Sequence, residues 1–561
     1  MRTACIYFCW LAVACGDLAL ANESQSAGKT VRCRSGAVVC VSEPAASAGL
    51  QTLKGGGNAV DAAVATAFAL AVTHPAAGNI GGGGYMLVLP KEADPVVFDF
   101  REVAPAAATK DMFVDAAGRT PHRRVGVPGT VRGLAMARER FGRLSWRDLV
   151  SPAITLARDG FLLDAETARS LSDVLADSDA TRFAELHRVF RQVDGKRWRP
   201  GDRLVQPDLA RTLERIADQG ADAFYDGETA DQIAAEMKRG GGLITKQDLR
   251  GYQAIKRQPL RGTYRGYEII AVPPSSSGGT TLIEALNILE NFPLPPGGWS
   301  TTSAHLTIEA TRRAYRDRAR YLGDPQASTI PEKLITKQYA KELALKIDPH
   351  RATPSRELTG DIPLAEGEHT THLSVIDADR NAVSMTYTLE NSYGSRVVVP
   401  GAGFLLNDEM NDFNWQPGVT DSTGRIGTEA NLVRPGRRML SSMCPTIVAR
   451  DGKPVLITGS PGGRTIINTV LCVIVSTIDF QMDVRQAVDA PRLHHGWLPD
   501  IVRLEPALAE QRDILQGLRA LGHTVVSGSR QGDAHSIGVD LDSGEITAAA
   551  DTRIHGSAAG Y

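Results

Sequence analysis

The sequence predicts a mixed α/β fold, and three stretches carry that prediction. Residues 58–73 are almost wholly apolar, a helix that must be buried on most of its faces. Residues 371–377 and 382–389 alternate like two strands, joined by the turn-forming Asp377-Ala378-Asp379-Arg380-Asn381. Residues 132–340 are mainly helical in pattern, with charged faces and Gly/Pro breaks.

At 561 residues and 60.1 kDa, the chain is long for a single core. With 42% hydrophobic and 22% charged residues, the composition is that of an ordinary globular protein. A formal charge of −2, from 62 basic and 64 acidic residues, argues against a nucleic-acid footprint. There is no internal repeat and no apolar run long enough to span a bilayer.

In chain order, the first segment reads as a leader. Met1-Arg2 precedes an apolar run over 4–14, and Ala19-Leu20-Ala21 suits a signal peptidase, so residues 1–21 are expected to be removed on export. The alternative is a lipid anchor through Cys15. Cys33 and Cys40 are near enough in sequence to pair in an oxidising compartment, a question the sequence leaves open. Cys444 and Cys472 have apolar neighbours and read as buried small hydrophobes. No spacing suggests a zinc site, and His369 and His372, three apart at a strand start, face different ways.

Helices are expected over 45–53 and 58–73, separated by Lys54-Gly55-Gly56-Gly57. The glycine run 81–84 leads into a strand over 85–89. Lacking the Gly-Lys-Ser/Thr ending of a phosphate loop, it is read as close backbone packing. A short strand over 96–102 ends in Arg101 and Glu102. Helices follow over 146–159, 207–219, 229–239 and 303–321; a strand over 266–272 ends at Pro273-Pro274-Ser275-Ser276-Ser277-Gly278-Gly279, a turn that starts the next helix. The whole 132–340 region is taken as structural support. Residues 415–436 are Gly/Pro-rich without periodicity, the character of a lid. Thr458-Gly459-Ser460-Pro461-Gly462-Gly463 precedes an apolar helix over 465–477.

The polar segment 349–368 changes abruptly into the hairpin at Thr370. A threonine hydroxyl needs an adjacent base. A cut before Thr370 would free its own α-amine, which titrates near pH 7.7–8.0 and can take the hydroxyl proton. On these residues alone, a Thr-Thr pair opening an ordinary strand is the stronger reading.

Thr370-Thr371-His372-Leu373-Ser374, Thr386-Tyr387-Thr388-Leu389-Glu390 and Leu405-Leu406-Asn407-Asp408-Glu409 change that balance, together with Gly55 to Ala63 and the closing Ala558-Ala559-Gly560-Tyr561. In this order they resemble the gamma-glutamyltransferases (gamma-glutamyltranspeptidases), self-cleaving members of the N-terminal nucleophile hydrolases. The resemblance implies a four-layer αββα sandwich. It also implies a leader (1–21), a large subunit (22–369) and a small catalytic subunit (370–561) forming a heterodimer. Thr370 would be the nucleophile, oriented by Thr388, and the Gly462 and Gly463 amides would hold the oxyanion. Arg101, Ser441 and Ser442 would grip the α-carboxylate of a γ-glutamyl group, with Glu390, Glu409 and Asp412 on its ammonium. Some family members carry amides at the first two of these acidic positions, and relatives with the lid often have Tyr where Thr423 stands. The implied substrate is glutathione or another γ-glutamyl amide, with water, an amino acid or a peptide as acceptor, and without cofactor, metal or nucleic acid. The rival within this fold is a cephalosporin (glutaryl) acylase; the rival outside catalysis is an uncleaved binding protein.

Overall fold

The structure is a computed structural model that describes residues 29–358, 369–418 and 427–561. The leader, the segment just before His369 and Thr423 lie outside the described residues, and so do the expectations placed on them.

Two seven-stranded sheets form the centre. In the first, the strands run in the order 557–560, 37–40, 369–376, 382–390, 83–89, 96–99, 255–257; in the second, 30–33, 546–549, 536–539, 453–458, 446–450, 267–271, 260–264. Outside the first sheet lie the helices Glu43–Lys54 and Ala59–Thr73, which share one core with its outward residues Val38, Met86, Val88, Leu373 and Val383. Outside the second lie Gly278–Leu289 and Thr465–Ile478, which share a core with residues of both sheets. This is the four-layer αββα arrangement, two sheets face to face with a helical layer on each side.

Local chemistry explains the elements that hold the site. All fifteen residues of Ala59–Thr73 are buried, as an apolar sequence without a polar face requires. Asn58 caps this helix: its Oδ1 accepts from Val60 N and Asp61 N, and Asp61 Oδ2 accepts from Asn58 N at 3.0 Å. Asp377, in the hairpin turn, accepts from Ala59 N at 2.9 Å and so fixes the hairpin against the helix start. The glycine run is a packing device. A Cβ at Gly82 would fall 2.0 Å from Thr388 O, and one at Gly84 2.4 Å from Thr386 O. Strand Gly83–Leu89 therefore seats directly against the hairpin.

Strands from the two sides of residue 370 are interleaved in the first sheet. His369–Ile376 lies between Ala37–Cys40 and Ala382–Glu390, and Ser557–Gly560 lies beyond Ala37–Cys40. Scission before Thr370 would leave two chains with interleaved ladders.

Two expectations are adjusted. Cys33 and Cys40 are free, because strands Thr30–Cys33 and Ala37–Cys40 belong to different sheets. Cys33 Sγ faces the core shared by the sheets, whereas Cys40 lies in the core under the outer helices. The region 132–340 also contains strands that its charge pattern hid: Ile255–Arg257 and Leu260–Tyr264, which are edges of the two large sheets, and the short pair Phe161–Leu162 and Arg203–Leu204.

Candidate active site

Thr370 sits at the head of the hairpin, opposite Thr388, with a register irregularity between His369 and Thr370. His369 pairs with Glu390 and Thr370 with Thr388, which leaves Leu389 as the extra residue of a bulge. Thr370 Oγ1 donates to Thr388 Oγ1 at 3.4 Å, and Thr388 Oγ1 also accepts from Glu390 N at 2.8 Å. Below them the same faces of both strands stay polar. His372 Nδ1 meets Thr386 Oγ1 at 2.8 Å, Ser374 Oγ donates to His535 O, and Ser384 Oγ donates to Thr458 O. Burial, reinforced by His535, holds the His372 imidazole well below its usual range, hence neutral.

A cleft of about 970 Å³ opens over Thr370 and is also lined by Gly462, Tyr393, Arg464 and His494. Gly462 and Gly463 take φ of +125° and +52°, conformations that favour glycine, and a Cβ at Gly462 would lie 2.6 Å from Thr465 Oγ1. Their carbonyls accept from Thr465 N and Ile466 N, so the turn is the lead-in to helix Thr465–Ile478. Amides at such a helix start favour negative charge.

Past Glu390, at the end of the hairpin, lies a buried charge cluster. Arg101 is 0% exposed and donates to Glu409 through Nη1 and to Asp412 and Leu440 O through Nη2; Glu102 is 3.6 Å from Nη1. The carboxylate oxygens of Glu390, Glu409 and Asp412 lie within 4.8 Å of one another. These acids are buried, not exposed, and Arg101 is the cation they surround. Burial pulls the Arg101 guanidinium down, but Glu409, Asp412 and Glu102 more than offset it and hold it above its ordinary value. Burial, with Asp412, Glu409 and Asp408 nearby, pushes the Glu390 carboxyl well up. Burial likewise raises Glu409 despite Arg101, and raises Glu102 to about 8. Glu390 Oε1, Glu409 Oε2 and both Glu102 oxygens have no hydrogen-bond partner among the described residues. Glu390 itself has φ +80°, strained for a residue with a side chain.

Ser441 and Ser442 follow directly on Met439 and Leu440, whose carbonyls accept from Arg101 at 3.4 and 3.2 Å. The two sets that sequence reasoning kept apart, one for a carboxylate and one for an ammonium, are therefore contiguous. Both groups sit on one carbon of a γ-glutamyl substrate, so contiguity suits it.

Sequence reasoning missed three contributors. Glu102 reads in the sequence only as the end of a strand. Asn431, at the base of the 415–436 loop, donates to Asp412 O at 2.6 Å and accepts from Leu440 N at 2.9 Å, tying both sides of the cluster together. Arg318, in a region assigned to support, donates to Ser442 Oγ at 2.9 Å. A buried arginine in a helix has no sequence signal that separates it from a solvated one.

Comparison with known proteins follows the same lines. The glutathione hydrolase proenzyme of Escherichia coli (strain K12) is 45% identical over 548 residues, which is 95% of this chain and 93% of that protein. The acylase ACY 1 proenzyme of Pseudomonas sp. (strain SE83) is 36% identical over 539 residues, 93% of each. The crystal structure of a cephalosporin acylase from Bacillus halodurans matches with a TM-score of 0.84 at 28% identity, over 97% of this chain and 98% of that one. A family profile described as Gamma-glutamyltranspeptidase matches residues 45–561. Both described halves of the site, the hairpin threonines and the charge cluster, fall inside that one continuous match, and the chain belongs to the gamma-glutamyltranspeptidase family.

Proposed function

We propose that this protein hydrolyses glutathione and other γ-glutamyl amides, or transfers their γ-glutamyl group to an amino acid or peptide, through an ester on Thr370. The observation that carries the residue assignment is the hydrogen-bonded run from Thr370 through Thr388 to Glu390, whose carboxylate lies within 4.8 Å of those of Glu409 and Asp412, the partners of Arg101.

The reaction begins with maturation. Thr370 Oγ attacks the carbonyl carbon of His369 and the C–N bond breaks, freeing the Thr370 amine and leaving an ester on Oγ; water then hydrolyses that ester, releasing the His369 carboxylate and restoring the Thr370 hydroxyl. In turnover that amine takes the Oγ proton as Oγ attacks the γ-carbonyl carbon. The Gly462 and Gly463 N–H groups receive the developing oxyanion; one such donor contributes about 2.7–4 kcal/mol to lowering the barrier. The leaving amine departs with the proton. Water or an acceptor amine then attacks the ester carbonyl, and Thr370 is restored.

Arg101, with Ser441 and Ser442, takes the substrate α-carboxylate, and Glu390, Glu409 and Asp412 take the ammonium. For this, Arg101 must trade its present carboxylate partners for the substrate's, a guanidinium fork meeting a carboxylate in either case. The same acids weigh against a glutaryl acylase, whose acyl group carries no ammonium to meet them. Residues 1–21 are proposed as an export leader and residues 22–369 and 370–561 as the two subunits. No helix among the described residues is long and apolar enough to cross a membrane.

Thr370→Ala tests the reading. A single uncleaved chain with no hydrolysis of a γ-glutamyl anilide is expected; a cleaved, active variant would exclude Thr370. Faster turnover of a glutaryl than of a γ-glutamyl anilide by the parent enzyme would overturn the substrate assignment.

A further inference from the structure

The turn Pro273 to Gly279 leads into helix Gly278–Leu289 and is also bonded along its length to the segment that carries the serine pair of the site. Ser277 N and Oγ donate to Ser441 O at 2.8 and 2.6 Å, Ser276 Oγ donates to Met443 O at 2.5 Å, and Ser441 N donates to Ser275 O at 3.2 Å. One side chain spans both segments. Arg318, on helix Thr301–Tyr321 and 0% exposed, donates from Nε to Ser277 Oγ at 2.8 Å and from Nη2 to Ser442 Oγ at 2.9 Å.

The chemistry of that contact has a direction. A guanidinium has donors and no acceptor, whereas a serine hydroxyl has one hydrogen and two acceptor positions. Beside Arg318, Ser442 Oγ is obliged to accept, and its own hydrogen points away from the guanidinium. That is the polarity required of a group that donates to a carboxylate. The same helix also reaches the glycine turn, where the Tyr315 hydroxyl donates to Arg464 O.

We propose that Arg318 is a positioning residue for γ-glutamyl recognition: it sets the donor direction of Ser442 and joins the Ser275–Ser277 turn to the α-carboxylate grip. The proposal rests on the reading of Ser441 and Ser442 as that grip. Arg318 does not touch the substrate, so its effect should be confined to recognition of the carboxylate.

The test compares a γ-glutamyl anilide with the 4-aminobutanoyl anilide, which lacks only the α-carboxylate. In Arg318→Gln, KM for the γ-glutamyl anilide should rise roughly tenfold or more, the scale of a lost hydrogen bond to a charged group, with kcat within a few-fold. The 4-aminobutanoyl anilide should show little change, so discrimination between the two falls. Arg318→Lys should recover part of it. Arg318→Gln combined with Ser442→Ala should discriminate no worse than Ser442→Ala alone. Unchanged discrimination in Arg318→Gln, or additive losses in the double variant, would overturn the proposal. If Arg318→Gln stays uncleaved, Ser277→Ala carries the same test: a severalfold loss of discrimination supports the proposal and an unchanged ratio refutes it. Ser442→Ala separates the two levels. If it leaves discrimination intact, the carboxylate reading fails with everything built on it; if it lowers discrimination and Arg318→Gln does not, only the role of Arg318 fails.

Discussion

Replacing Arg101 by Met perturbs the buried cluster at the cation its acids surround among the described residues, and the structure separates what this does to stability from what it does to binding. Arg101 is fully buried against Glu409, Asp412 and Glu102. Removing one partner of a buried ion pair typically costs about 3–5 kcal/mol, because the other charge is left uncompensated. Here the acids can escape by holding protons, so the cost depends on pH. In the parent, burial already raises Glu102 to about 8 and Glu409 well above its ordinary value, so at lower pH both proteins hold these protons and the variant should lose little more than packing and hydrogen bonds. As pH climbs through the raised values the parent ionises these groups beside Arg101 while the variant cannot, and the deficit grows. Melting curves of the parent and Arg101→Met from pH 5 to 9 should therefore diverge upward in pH. Adding Glu409→Gln and Asp412→Asn should bring the melting temperature back while the KM for a γ-glutamyl anilide stays high. Parallel melting curves at every pH would refute the charge argument. Recovery of KM in the triple variant would refute the role of Arg101 toward the α-carboxylate.

Other perturbations have defined outcomes. Thr388→Val keeps the shape but removes the acceptor of Glu390 N and the partner of Thr370 Oγ1; cleavage and turnover should both slow, with about 1–3 kcal/mol lost in denaturant unfolding for the unsatisfied amide, and Thr388→Ser should restore most of each. Gly462→Ala puts a methyl 2.6 Å from Thr465 Oγ1 at φ +125°; kcat should fall about 10²–10³-fold, and an unchanged kcat would remove this amide from the oxyanion site. Glu102, raised to about 8 by burial, contributes stability that is complete below its unfolded value of 4.5 and lost as pH climbs through 8. Glu102→Gln should thus flatten the fall in melting temperature between pH 5 and 8, and an equally steep fall would show that the group ionises freely.

Much of this protein is legible in its sequence because local rules suffice for it. The apolar run 58–73 can only be a buried helix, and Asn58 and Asp61 stand where a capping box needs them. Alternation defines the hairpin, and the resemblance of its motifs, not the pattern itself, points to Thr370 at its head. Motif order around these elements was enough to place the family. What stayed hidden depends on distance along the chain. Burial of Glu390, Glu409 and Asp412 around Arg101 joins residues some three hundred positions apart, and an acid reads the same in a sequence whether water or a guanidinium faces it. Cys33 and Cys40 look like neighbours until their strands are assigned to different sheets. Arg318 looks like one more charge on a helix until the fold sets that helix behind Ser442. Periodicity and turn chemistry report on the nearest few residues, so they determined the elements; only packing of the layers decided which charges lost their water and therefore had to find one another.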